Sequence, residues 1–162
     1  TSTTLQIALG DAIALVLMDM RGFSLERMRH LHPGGTLGTR MTTVADVMHS
    51  GSGLPLVRED VSMHEVASVM TGAGLGIAGV IDVAGRLTGV ITDGDLRRNI
   101  HHLHVADAAA VMNCSPVIVG PNMLVDDVLK ILNANEITAA FVLEPEAAVN
   151  HRVPIGVIHV HD

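Results

Sequence analysis

Apolar and polar positions along the chain follow two periods. Val66, Val69 and Met70 recur at three- and four-residue steps, and so do Val128, Ile131 and Leu132. That spacing predicts one-sided helices over residues 62–73 and 124–135. Ser62 with Glu65 three positions later is a capping-box pattern at the start of the first. Short runs rich in Val, Ile and Leu predict extended segments at 54–57, 77–82, 87–92, 116–119, 137–143 and 155–160. Ala84-Gly85 predicts a hairpin turn, and the longer stretch 144–152 a loop. Asp93-Gly94-Asp95-Leu96-Arg97-Arg98 opens one more helix. Residues 4–21 read as a helix that is apolar on nearly every side, with Gly22 as its stop, and such a helix is normally buried all round. It is expected to pack against a larger domain upstream or against another subunit. Ser24 can cap a second helix near 25–31, ended by His32-Pro33-Gly34-Gly35, and a linker then runs to about residue 43.

These elements occur twice. Val44-Ala45-Asp46-Val47-Met48 aligns with Ala108-Ala109-Ala110-Val111-Met112, 66–82 with 128–144, and Gly89-Val90-Ile91 with Gly156-Val157-Ile158. The offset is roughly 62 to 67 positions, as in a true repeat whose loops differ in length. The order β-α-β-β-α, given twice, places the chain in the mixed α/β (α+β) class.

Gly89, Val90, Ile91, Thr92 and Asp95 form a Gly, two apolar residues, Thr, then Asp. With the repeat, this resembles a tandem pair of CBS domains over residues 44–162. Upstream, Thr1-Ser2-Thr3-Thr4, Ala8-Leu9-Gly10-Asp11-Ala12, Arg21-Gly22-Phe23 and His32-Pro33-Gly34-Gly35-Thr36-Leu37-Gly38 resemble the end of a sugar-isomerase (SIS) domain. In that order, and ending in His-Val-His-Asp, the chain is similar to the arabinose 5-phosphate isomerase family. The resemblance implies a SIS tail and linker at 1–43, one CBS domain at 44–104 and a second at 105–162 without its final helix. It implies a parent enzyme that interconverts ribulose 5-phosphate and arabinose 5-phosphate for Kdo and lipopolysaccharide synthesis. It also implies a cytoplasmic homo-oligomer, a dimer of CBS pairs within a tetramer.

Composition narrows the partners. Among 162 residues, 10 are basic and 17 acidic, so no basic stripe for nucleic acid is available. Phe23 and Phe141 are the whole aromatic complement, too few for a base-stacking platform. Cys114 stands alone, which excludes a disulfide framework and a cysteine-based zinc site, and a reducing cytoplasm is the expected compartment. The apolar stretch 5–20 is broken by Gln6, Gly10 and Asp11 and reads as too short and too polar for a bilayer. No membrane partner is therefore expected.

Candidate chemistry falls in two places. Aldose–ketose isomerisation needs a base poised near neutral pH and a phosphate cradle. Of these, the resemblance carries over only His32, as a catalytic acid/base or ring-opening group, so the chain alone is not expected to be active. In a plainer reading, His32 interacts with a helix dipole before Pro33 ends the helix. The second place is the CBS pair, where a nucleotide or nucleotide-sugar such as CMP-Kdo is the expected effector and no cofactor is needed. Asp95 and Asp162 would accept ribose hydroxyls. Thr92 at a helix start would meet a phosphate. Leu54-Pro55-Leu56 and Pro116-Val117-Ile118 would hold the base between aliphatic side chains. Arg97 and Arg98 would add positive charge. His159 stands where the repeat expects Thr, so the two clefts are not expected to bind one ligand identically. The plainer reading of Thr92 and Asp95 is a capped helix. His101, His102 and His104, and His151, His159 and His161, read as a solvated set without metal spacing. A packing or dimerisation role suits the helix faces of 66–70 and 128–132.

Overall fold

The computed structural model describes residues 2–23, 42–144 and 152–162. The chain divides into two compact units, Thr1–Met41 and Thr42–Asp162. The first holds α1, Ser2–Met20. No residue of α1 is buried, Met18 and Met20 included. At 19 residues, α1 is long and apolar enough to cross a membrane by length and composition, which corrects the reading of 5–20 as too short. A core helix of a soluble protein meets the same two criteria. The second helix expected near 25–31, His32 and His151 lie outside the described residues.

The second unit is the repeat. Its elements are α2 (Val44–Val47), β1 (His49–Ser50), β2 (Leu56–Arg58), α3 (Met63–Ala73), β3 (Ile77–Ile81), β4 (Leu87–Thr92), α4 (Asp93–Arg98), α5 (Ala108–Val111), β5 (Ile118–Val119), α6 (Val125–Ala134), β6 (Ala139–Leu143) and β7 (Pro154–His159). One sheet has the order β2-β3-β4 and the other β1-β7-β6-β5. In each, a parallel pair flanks the repeat's long helix: β2 with β3, and β5 with β6. In each, an antiparallel pair follows: β3 with β4, and β6 with β7.

Local chemistry sets these bounds. Ser62 Oγ accepts the Glu65 N–H at 3.3 Å and starts α3, and Gly74, at φ 71°, ends it. The reciprocal box predicted there forms at α4 instead, between Thr92 and Asp95. The β3–β4 turn is built on Asp82, whose carboxylate accepts N–H groups of Ala84 and Arg86, with Gly85 at φ 78°. In the second repeat, Glu136 takes the left-handed position of Gly74, at φ 55°. Non-glycine residues rarely adopt that conformation.

The sheets face each other across Ile77, Leu87, Val90, Ala139, Phe141 and Val157. Gly79 and Phe141 are equivalent positions of the repeat and meet here. A Cβ on Gly79 would stand 2.8 Å from Phe141 Cζ and 2.9 Å from Leu56 Cδ2 and Leu87 Cδ1. The bare glycine of one repeat therefore makes room for the ring of the other.

The leading segments change places. β1 lies near the head of the first repeat yet pairs with β7 of the second, His49 opposite Val157. Asn113 lies near the head of the second repeat yet exchanges both backbone hydrogen bonds with Val90 of the first, at 2.8 and 3.1 Å. The helices follow: Ala108 of α5 packs among Val66, Met70, Val80 and Ile91, and Val44 of α2 among Val119, Val128, Leu132 and Ile158. Each crossing is completed by a methionine on a glycine. A Cβ on Gly89 would lie 2.7 Å from Met112 Sδ, and one on Gly156 2.5 Å from Met48 Sδ. Gly89→Ala and Gly156→Ala are each expected to cost about 1–3 kcal/mol through overpacking. The urea midpoint reads this; unchanged midpoints would mean that the methionines retreat freely.

Candidate functional site

A cleft of about 800 Å³ lies between the two repeats. It brings together Thr92, Asp95, Arg97, Arg98, Pro116, Val117 and His159 of the predicted residues. The crossing explains the mixture: the segment after Asn113 carries Pro116 and Val117 to the start of α4 in the other repeat. Leu54, Pro55, Leu56 and Asp162 do not line this cleft. Pro55 is buried, and the half-buried Leu54 and Leu56 pack against the inter-sheet core.

Asp95 is the most heavily hydrogen-bonded group of the site. Its Oδ2 accepts the Thr92 N–H at 2.9 Å and the Thr92 hydroxyl at 2.7 Å, and its Oδ1 accepts from Arg98 at 2.7 Å. The Thr92 hydroxyl donates to Asp95 and so positions the carboxylate. α4 is only six residues long and is capped from within by this box. Oδ1 is held by an arginine that is 70% exposed. Exposed ion pairs of this kind contribute only about 0–1 kcal/mol.

Partial burial pushes the Asp95 carboxyl up, but the Thr92 hydroxyl, the Thr92 N–H and the Arg98 guanidinium together outweigh it and hold it below its ordinary value of 3.8. A depressed carboxyl stabilises the fold above its unfolded value and loses that contribution as pH falls through the folded value. Asp95→Asn is expected to flatten the acid limb of the stability curve below about pH 4, read by thermal unfolding at several pH values. An unchanged limb would show that the box adds nothing.

The polar lining also includes Asn113, Ser115, Asn135, Glu136 and Thr138, which the sequence reading did not single out. Glu136 had a signal: it replaces Gly74 in the alignment of the repeats, and a carboxylate at a left-handed position is worth a look. Asn113 and Ser115 face the cleft through the crossing, which no local pattern announces, and Asn135 and Thr138 lie between α6 and β6. Among the described residues, no three His, Cys, Asp or Glu side chains converge as a metal set would.

Two like units, face to face, enclose a polar cleft carrying a carboxylate, two arginines and a short apolar wall, and make up a tandem α/β module. The CBS domain family model matches residues 44–102 and 105–162. The chain belongs to the CBS domain family. The arabinose 5-phosphate isomerase KdsD of Pseudomonas aeruginosa is 38% identical over 166 residues, covering 100% of this chain and 49% of that protein. KdsD of Yersinia pestis is 36% identical with the same coverages. The chain spans about half the length of these curated relatives. Among solved structures, the CBS domain pair of protein MJ0100, in complex with 5'-methylthioadenosine and S-adenosyl-L-methionine, superposes with TM-score 0.65 at 17% identity, over 75% of this chain and 91% of that one. CBSX2 in complex with AMP superposes with TM-score 0.62 at 21% identity, over 72% and 89%.

Proposed function

We propose that this chain is the nucleotide-sensing CBS pair of a longer arabinose 5-phosphate isomerase. The observation that carries the proposal is the placement of Asp95 in a cleft walled by Pro116 and Val117 and flanked by Arg97 and Arg98. The carboxylate suits vicinal ribose hydroxyls, the aliphatic wall suits a base, and the arginines suit a phosphate. The cleft volume falls within the range of small-molecule sites. Adenosine ligands in the related CBS pairs support a nucleoside as the common element. The relatives' enzyme names support the isomerase as the parent, and the resemblance over His32–Gly38 makes His32 its catalytic contribution from this stretch. CMP-Kdo is the effector best matched to two arginines, since it carries a phosphate and a carboxylate. Its binding would regulate a cytoplasmic homo-oligomer by favouring one of its conformations. Calorimetric titration of the chain with AMP, S-adenosylmethionine and CMP-Kdo tests this. Saturable heat with a nucleotide supports sensing; none with any of the three overturns it.

A second reading rests on the Asp95 carboxylate being satisfied from within by Thr92 and Arg98: the pair is a clamp that holds the oligomer together. Deleting residues 44–162 from the whole enzyme separates the two. A clamp predicts loss of assembly, and a sensor predicts an intact oligomer that no longer responds to nucleotide.

A further inference from the structure

The repeat places an acidic residue at two equivalent points, Asp95 and Asp162, and treats them differently. Each carboxylate uses Oδ2 for its local cap: Asp95 on the Thr92 N–H, and Asp162 on the His159 N–H at 2.7 Å. Each leaves Oδ1 for something else. Facing each pair is the crossing segment of the other repeat, which supplies Asn113 on one side and His49 on the other. Their registers match, with Asn113 opposite Val90 and His49 opposite Val157. Asn113 turns its side chain back to accept the Ser115 N–H at 3.0 Å, leaving Asp95 to the cleft. His49 reaches over instead, and its Nε2 lies 3.0 Å from Asp162 Oδ1.

We infer that His49 is a built-in occupant of the second half-site, and that the chain therefore binds one nucleotide rather than two. The imidazole nitrogen takes the oxygen that a ribose hydroxyl would need. It is held there by more than the contact itself: the His49 backbone is fixed by its pairing with β7, and its side chain has only two rotatable bonds. Arg98 on Asp95 has a longer side chain with more rotatable bonds and is 70% exposed, against 51% for His49. His159 reinforces the asymmetry. Where Thr92 offers a hydroxyl to its aspartate, His159 keeps its Nδ1 as acceptor for the His161 N–H at 3.3 Å.

This inference rests on the nucleotide reading above, and its test separates the two. AMP is titrated calorimetrically into the whole chain, wild type and His49→Ala, and the number of sites is counted. The wild-type number reads the nucleotide function; the difference between the proteins reads the occupancy by His49. One additional AMP in His49→Ala, lost again in His49→Ala/Asp162→Asn, supports the inference. An unchanged number overturns it. In the wild-type background, Asp162→Asn is expected to leave AMP affinity within twofold. A loss as large as that of Asp95→Asn would show that Asp162 already binds nucleotide, and would overturn the inference even if His49→Ala failed to fold.

Discussion

Phe141→Ala lowers the stability of the CBS pair by about 3–5 kcal/mol, the cost of removing a large ring from a close-packed core. Phe141 is fully buried at the junction of the two sheets, over the bare backbone of Gly79. The reverse change, Gly79→Ala, adds a Cβ into contacts of 2.8 to 2.9 Å and is expected to cost about 1–3 kcal/mol. Together the two changes cost less than their sum, because the new methyl enters space that the ring has left. Contacting residues show coupling of about 0.5–3 kcal/mol, and urea denaturation of the double-mutant cycle measures it. Strict additivity would mean that Leu56 and Leu87, not Phe141, set the limit at Gly79.

The second large effect concerns the ligand. Asp95→Asn is expected to weaken AMP binding about 10- to 100-fold, the loss of a hydrogen bond to a charged acceptor at about 1.5–3 kcal/mol. Asn preserves the shape and one acceptor oxygen but not the charge. Because it also weakens the α4 cap, thermal unfolding must accompany the titration. Thr92→Ala provides the control. It costs about 1 kcal/mol of cap stability and removes one bond that positions the carboxylate, but keeps the backbone bond and the charge, so its affinity should fall less than that of Asp95→Asn. Equal losses in both variants would place the effect in the helix rather than in the contact with ribose.

Much of the fold was legible because its signals are local. The three-and-four spacing of Val66, Val69 and Met70 marked α3, and Gly89-Val90-Ile91 with its echo at Gly156 marked the strands. The CBS resemblance drew on Thr92 and Asp95, whose capping box is itself a short-range pattern. The exchange of leading segments was not legible, since His49 pairs with Val157 more than a hundred positions away. Met48 and Met112 aligned in the repeat, but nothing near them says that each covers a glycine of the other half. The site was half visible for the same reason. Asp95, Arg97 and Arg98 are neighbours in sequence, whereas Asn113, Pro116 and Val117 arrive by the crossing. Leu54, Pro55 and Leu56 were read as a base-binding wall from their apolar character, which core packing uses equally well.

The exchanged segments also govern how the module comes apart. If either half opened alone, it would strip Val44 or Ala108 from its neighbour's interior and leave an uncovered strand edge behind. The two halves therefore form one cooperative unit, with a single melting event and a shared hydrogen-exchange limit for amides in β4 and β7. A molecule bound on one side then protects the far side as well, by raising the cost of the only opening available to both.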